Sequence, residues 1–381
     1  MASLPCLGLD PLPEIDLRHM IVLSDDTGIF QHATRSTPDL HHGYCTDDNA
    51  RSLIAAMKVW ALPEQTWAAG QNEQPTANQL LIASQRYLAF LAYAFNPDRG
   101  RYRNFMRYDR SWLEEIGSED SHARTLWGLG KTVRFAPSED IRDLAESLLL
   151  KSLDAVETFT YLKPCAYSLL GLEEYLRVRP DCEHARKLVE SMSRRLFDVY
   201  QTNAKDDWPW WEDWLTWGNA KLPHAMLVGG LTLEDQAMVD ASLKALAWML
   251  DLQTTDDGHL SIIGNQGWYY RGREMARFDQ QPIEAKALVQ ACLAAACTTG
   301  DRAWVDRAVS CFQWFTGKND LGVSLYNHQT GGGHDGLEPN GINANQGAES
   351  TLAYVISALE LHHYAQAAAG EDHLSQAPAL G

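Results

Sequence analysis

The chain lacks the features that would commit a protein to a membrane, a nucleic acid or a metal. No run of about 18 apolar residues occurs, which excludes a helical membrane span. Cationic side chains are few: 32 Lys and Arg stand against 50 Asp and Glu, a formal charge of -18. A surface of that sign repels phosphate backbones and anionic lipid, so neither nucleic acid nor membrane is an expected partner. Cysteine is sparse and scattered, at Cys6, Cys45, Cys165, Cys182, Cys292, Cys297 and Cys311, with no Cys-x-x-Cys pair. That odd, unclustered set reads as reduced core residues in a cytoplasmic protein. Residues 1–13 have no basic start and no long apolar centre, so no signal peptide is expected. Gly331-Gly332-Gly333-His334-Asp335-Gly336 lacks the Gly-Lys-Ser/Thr ending of a nucleotide loop, leaving a holder of free phosphate or a lid. The adjacent acids Asp47-Asp48 have no third ligand at short spacing, so neither metal nor organic cofactor is expected.

What is present is helix. Helical spacing of apolar residues runs over 47–60, 80–95, 123–133, 139–156, 165–178, 183–200, 234–253, 283–299, 301–316 and 348–365, with a shorter stretch from 222. The helices pair, one rich in Ala and Leu, the next longer and more charged. The Ala-rich ones open at Asp47, Glu119, Pro164, Pro223, Gln281 and Gln346. Their irregular spacing puts the variation in the loops before them, and long loops inside a compact domain are usually functional. In four places, near residues 26–30, 98–102, 256–260 and 320–325, a turn with Asp and Gly leads into a short strand. Six apolar helices inside and amphipathic helices outside is the pattern of an all-α (α/α)6 toroid, with short β-hairpins in the loops of its active-site face. A helical solenoid would repeat more regularly. Eleven good helices are found rather than twelve, because no outer partner follows the last inner helix or precedes the first. The expected organisation is an arm over residues 1–20, one catalytic domain over 21–366 and a disordered tail over 367–381.

The inner helices start with acids. Thr46-Asp47-Asp48-Asn49-Ala50-Arg51 and Ser118-Glu119-Asp120-Ser121-His122-Ala123-Arg124 each carry two adjacent acids followed by Ala-Arg. One acid in a first turn is ordinary capping, since it meets the helix dipole and free N–H groups. Two such motifs, with N-termini aligned, make an acidic mouth. Glycosidic cleavage needs one protonated carboxyl for the leaving group and one ionised carboxylate. Crowded acids supply the protonated member through raised pKa values. The acid and base are expected among Asp48, Asp120, Asp279 and Glu284, with Asp48 and Asp120 matched between the two motifs. Sugar contacts are expected from Asp47, Glu119, His122, Trp210, Trp211, Glu212, Asp213, Trp268, Tyr269, Gln281, His334, Asp335 and Glu349. The simpler roles are capping and ion pairs to Arg51 or Arg124 for the acids, and core packing for the tryptophans.

These motifs, with Trp208–Asp213, Phe278–Lys286 and Asn345–Ser350, give the chain a resemblance to the (α/α)6 six-hairpin glycosidase-like group. More narrowly it is similar to bacterial domains found with sugar glycosyltransferases and mannoside-active enzymes. The resemblance covers most of residues 20–365. It implies a carbohydrate-active enzyme of bacterial type, and hydrolysis of a short mannose- or glucose-containing oligosaccharide or glycoside is the first reading. Three others stay open: phosphorolysis, a sugar epimerase or isomerase using histidines as acid and base, and a non-catalytic sugar-binding partner of a glycosyltransferase.

Overall fold

The computed structural model describes residues 4–67 and 74–370. Among them run thirteen α-helices, numbered in chain order. Six form an inner set: α2 (Thr46–Trp60), α5 (Glu119–Phe135), α7 (Leu162–Leu176), α9 (Lys221–Thr232), α11 (Pro282–Thr299) and α13 (Ala348–Ala368). Five form an outer set: α4 (Ala77–Ala94), α6 (Glu139–Ser152), α8 (Glu183–Asn203), α10 (Gln236–Leu252) and α12 (Arg302–Gln313). Two are short, α1 (Arg18–Val22) and α3 (Glu64–Trp67). Each inner helix packs on the next, and α13 returns to α2, so the ring closes. Each outer helix packs on the inner helix before it. The fold is an (α/α)6 toroid.

Local chemistry sets these boundaries. Ser118 caps α5 by accepting the Ser121 N–H at 3.0 Å, and Thr76 and Gln79 make a reciprocal capping box on α4. Pro282 opens α11, and Gly300 closes it in the left-handed region at φ 68°. The two rings differ as their surroundings require. From Pro282 to Leu293 every residue of α11 is buried. On α8 the buried positions are Ala185, Leu188, Val189, Met192, Ser193, Leu196 and Tyr200, one stripe at helical spacing.

The missing twelfth helix has a substitute. The segment expected as a loose arm lies, from Leu4 onward, along α13. The Pro13 carbonyl meets His362 Nε2 at 2.7 Å, and the Pro5 carbonyl accepts the Tyr364 hydroxyl at 3.0 Å. Leu7, Ile15, Leu17 and Met20 are buried in the core. This segment and α1 occupy the sixth outer place, where no long amphipathic helix was legible. The tail beyond residue 370 lies outside the described residues, as do 68–73 of the loop expected over 63–78.

The inner helices approach closely where they carry glycine. A Cβ on Gly171 of α7 would sit 2.6 Å from the Trp127 Cα of α5. We expect Gly171→Ala to lower stability by about 1–3 kcal/mol through overpacking, read as a fall in the midpoint of urea unfolding. An unchanged midpoint would mean that the α5–α7 contact can open without cost.

The strands are two- or three-residue pairs in the loops. Tyr44–Cys45 pairs with Phe105–Met106, and Trp214–Leu215 with Tyr269–Tyr270. The hairpin expected near residue 26 reduces to one bridge, Ser24 to Ile29, followed by the small pair Ala33–Thr34 and Thr37–Pro38. At the C-terminal ends of the inner helices buried charges pair. Lys58 meets Glu360 at 2.8 Å, and Glu174 takes Lys131 and Arg134. Cations there also complement the negative ends of the helix dipoles.

Candidate active site

The N-termini of the inner helices surround a cavity of about 530 Å³. Its walls include Asp47 and Arg51 of α2, Ser118, Asp120 and Arg124 of α5, Gln281 and Ile283 of α11, and Glu349 of α13, with Trp217 from the loop before α9. Asp47 and Asp120 enter it for one reason. Each stands four residues before an arginine, so each lies on the same face of its helix as that arginine. This corrects the match of Asp48 with Asp120. Counted back from Ala-Arg, the partner of Asp120 is Asp47, and Asp48 corresponds to Ser121, one helical position round.

The charges are unevenly paired. Arg51 donates to Asp48 Oδ1 at 2.5 Å, and its other terminal nitrogen lies 2.6 Å from Glu349 Oε2. Arg124, 3% exposed, has no carboxylate that close: Asp47 Oδ2 is 3.7 Å from its Nε. Its guanidinium is instead held over the Tyr167 ring at 4.3 Å and the Trp217 ring at 5.2 Å. Oδ1 of Asp47 and Oδ1 of Asp120 are buried without a hydrogen-bond partner among the described residues. Two unpaired acceptors beside an under-paired donor suit a ligand that both donates and accepts, as a sugar hydroxyl does.

Burial pushes the Asp120 carboxyl above the ordinary range, although Arg124 pulls the other way. Glu349 has the opposite balance. Its place in the cavity favours the neutral acid, but Arg51, Arg124 and Lys286 outweigh that and hold it below the usual carboxylate range. One wall thus carries a carboxyl shifted toward protonation, another a carboxylate kept ionised.

Of the four residues expected to hold acid and base, Asp120 alone lines the cavity. Asp48 is turned inward, where it pairs with Arg51 and accepts from the Cys45 thiol at 3.1 Å. Asp279 stands outside that wall with Asp335 and Glu338; burial and those two acids push it up to about 6. Glu284, 1% exposed, faces α9, accepting the Gly218 N–H and the Asn219 side chain at 3.2 Å. It therefore anchors the loop that carries Trp217.

Burial raises Glu284 from 4.5 to about 7, against the pull of Lys163 and of the Gly218 N–H. A carboxyl raised on folding holds a proton that the unfolded chain has released. Its contribution is full below about pH 4.5 and is lost as pH rises through about 7. Relative to wild type, Glu284→Gln should therefore gain stability as pH rises across that window. Paired melting curves check this, and a pH-independent difference would contradict it.

The remaining expected contacts divide. Asp47, Gln281 and Glu349 line the cavity. Glu119 points to the α7 start, accepting the N–H groups of Thr160 at 2.9 Å and Tyr161 at 3.1 Å. His122 is fully buried between Tyr102 and Phe159, with Nε2 on the Ser152 carbonyl, and burial presses it down to about 3. Trp210 and Trp211 are core, packed edge to face, and the Trp211 indole donates to the Leu196 carbonyl. Glu212 and Asp213 border a second hollow. Tyr269 leans on Trp208, and Trp268 is half-buried against the core. His334 is buried, and Asp335 accepts the Gly347 N–H at 2.8 Å before α13. The glycines before it form no phosphate cradle: Gly332 and Gly333 pair with Tyr326 and Asn327, and a Cβ on Gly333 would meet the Ser350 carbonyl oxygen at 2.5 Å.

No family model and no curated protein matches the sequence. Solved structures do match the architecture. A sugar epimerase from a ruminal bacterium aligns at 11% identity and TM-score 0.67, over 91% of this chain and 95% of that one. A GH76 alpha-mannanase from Bacteroides thetaiotaomicron aligns at 12% and 0.60, over 93% and 95%. An alpha-1,6-mannanase from Salegentibacter, an inactive variant with two adjacent aspartates replaced by alanine and bound to a mannotetraose, aligns at 9% and 0.56, over 90% and 95%. The fold is that of the six-hairpin glycosidase-like toroids. A sugar epimerase and mannanases are both built on this toroid, so the fold alone fixes no reaction.

Several cavity residues of this toroid escaped the sequence reading. Glu114 accepts the N–H groups of Asn104 and Phe105, both at 2.6 Å, and Asn104 Oδ1 accepts the Thr46 N–H at 3.2 Å. This relay fixes the α2 start and hence Asp47. Nothing in the run around Asn104 signals it. Arg51 and Arg124 were legible as motif members, but not as cavity walls.

Proposed function

We propose that the protein is a glycoside hydrolase acting on a neutral oligosaccharide or glycoside. The observation that carries this is the pair of carboxyls in opposite settings, Asp120 raised by burial and Glu349 held ionised by Arg51. Such a divergence is how one site holds acid and base together. In this reading Asp120 gives its proton to the glycosidic oxygen as the bond to the anomeric carbon breaks. Glu349 takes a proton from the water that adds to that carbon. Asp47 and Arg124 hold sugar hydroxyls, and Trp217 offers an aromatic wall.

An inactive mannanase of this fold lacks two adjacent aspartates, which fits catalysis by acids at such a mouth. Epimerisation through histidine is less well supported: His122 and His334 are buried off the cavity wall, and His32, whose charge reaches Glu349, is not on that wall either. Phosphorolysis loses its one sequence argument with the packed glycines near residue 333. Incubation with mannose- and glucose-containing disaccharides, with and without phosphate, tests the proposal. Phosphate-independent release of monosaccharide is expected. A sugar isomer or a sugar phosphate as the product would replace this reading with epimerisation or phosphorolysis.

A further inference from the structure

Six aromatic side chains are exposed among the described residues: Tyr93, Phe105, Tyr108, Tyr161, Trp214 and Tyr270. All lie at the mouth end of the toroid. Five sit in the loops leading into α5, α7, α9 and α11, and Tyr93 is in the last turn of α4, an outer helix that runs back toward the mouth. Beside Trp214 lies a second hollow of about 570 Å³, bordered by Thr160, Leu162, Asn203, Glu212, Asp213 and Arg271. Tyr270 is paired directly with Trp214 across the two-stranded ladder, which puts the two rings on one side.

Lys163 stands between this hollow and the cavity of Asp120. Lys163 follows Leu162, donates to Thr216 Oγ1 at 2.7 Å and lies 4.4 Å over the ring of Trp217. Glu212 of the second hollow and Asp120 of the first both act on its ammonium. The border is mixed in sign: Arg271 lies 2.9 Å from Asp207 and 3.9 Å from Asp213. A polyanion finds no field of one sign there. A pyranose finds exposed indole and phenol faces beside hydroxyl, amide and carboxylate partners.

We infer that the substrate is a neutral sugar chain that passes over the Lys163–Trp217 wall and lays a distal unit in this hollow against Trp214. The inference rests on the sugar-binding part of the reading above, not on the reaction. The test is calorimetric titration of the Asp120→Asn protein, which should not consume its ligand, with manno- and gluco-oligosaccharides from disaccharide to hexasaccharide. The hexasaccharide of one series should bind roughly tenfold or more tightly than its disaccharide. Adding Trp214→Ala should erase most of that gain, a ratio that is insensitive to partial loss of folded protein. Equal affinities along both series would overturn the inference, even if the wild type cleaves disaccharides. So would a gain that survives Trp214→Ala, or no binding by either series. Chain-length-dependent binding without any cleavage by wild type would support it while removing the hydrolase reading.

Discussion

If Asp120 is the proposed general acid, Asp120→Asn should leave a folded protein whose turnover of a natural glycoside falls about 10²- to 10⁴-fold, the range for loss of a general acid. Asn cannot give up a proton, yet it fills the same space, so the melting temperature should hold or rise slightly as a half-buried carboxyl with one unpartnered oxygen is removed. The leaving group decides whether the loss is one of acid catalysis. A dinitrophenyl glycoside departs without protonation, so its turnover should fall far less than that of a disaccharide. Glu349→Gln should slow both substrates, since the attacking water loses its base in each case. The wild-type rate should also fall on the alkaline side, as Asp120 gives up its proton, and this limb should be absent in Asp120→Asn. Equal losses on both substrates for Asp120→Asn would assign it to binding rather than to proton transfer.

Arg51→Met should be the most destabilising of the site substitutions, by about 3–5 kcal/mol. Arg51 is 4% exposed and holds Asp48, itself 5% exposed, at 2.5 Å. Removing the guanidinium leaves Asp48 buried without the cation that pairs with it, and the Cys45 thiol is too weak a donor to replace that pairing. The double variant Asp48→Asn/Arg51→Met should recover a substantial part of the loss, because a neutral amide tolerates the site that a lone carboxylate does not. Urea unfolding of the four proteins in the cycle measures the coupling. Additive losses would contradict the pairing. Arg51→Met should also raise the Glu349 pKa, by removing the cation that does most to hold it ionised. The acid limb of its rate profile should therefore move to higher pH.

The ring was legible because its physics is local. Ala- and Leu-rich helices buried on every side alternate with one-stripe helices, and that contrast shows in the residues of α11 and α8 without coordinates. The substitute for the twelfth helix was not legible, since residues 4–22 are held by tertiary packing on α13 and have no periodicity of their own. Within the site, the acids at the mouth could be found, but not which way each faced. A helix turns about 100° per residue, so Asp47 and Asp48 look in different directions. The spacing to Arg51 and Arg124 carries that information and selects Asp47 with Asp120. Glu284 shows the same limit: a first-turn acid at the mouth, yet committed to the backbone of Gly218. Asn104 and Glu114 lie in loop sequence, where no period reveals what a side chain will touch.

In the proposed reaction, water cleaves a glycosidic bond in the cavity of Asp120 and Glu349. This is tested most directly by running the wild-type reaction on the oligosaccharide it binds best, in water enriched in heavy oxygen, and weighing the products. Shortened chains with one heavy oxygen at the newly formed anomeric hydroxyl are expected, beyond the slow exchange seen without enzyme, and almost none with Asp120→Asn. Chains of unchanged length whose reducing-end sugar has been isomerised would contradict it.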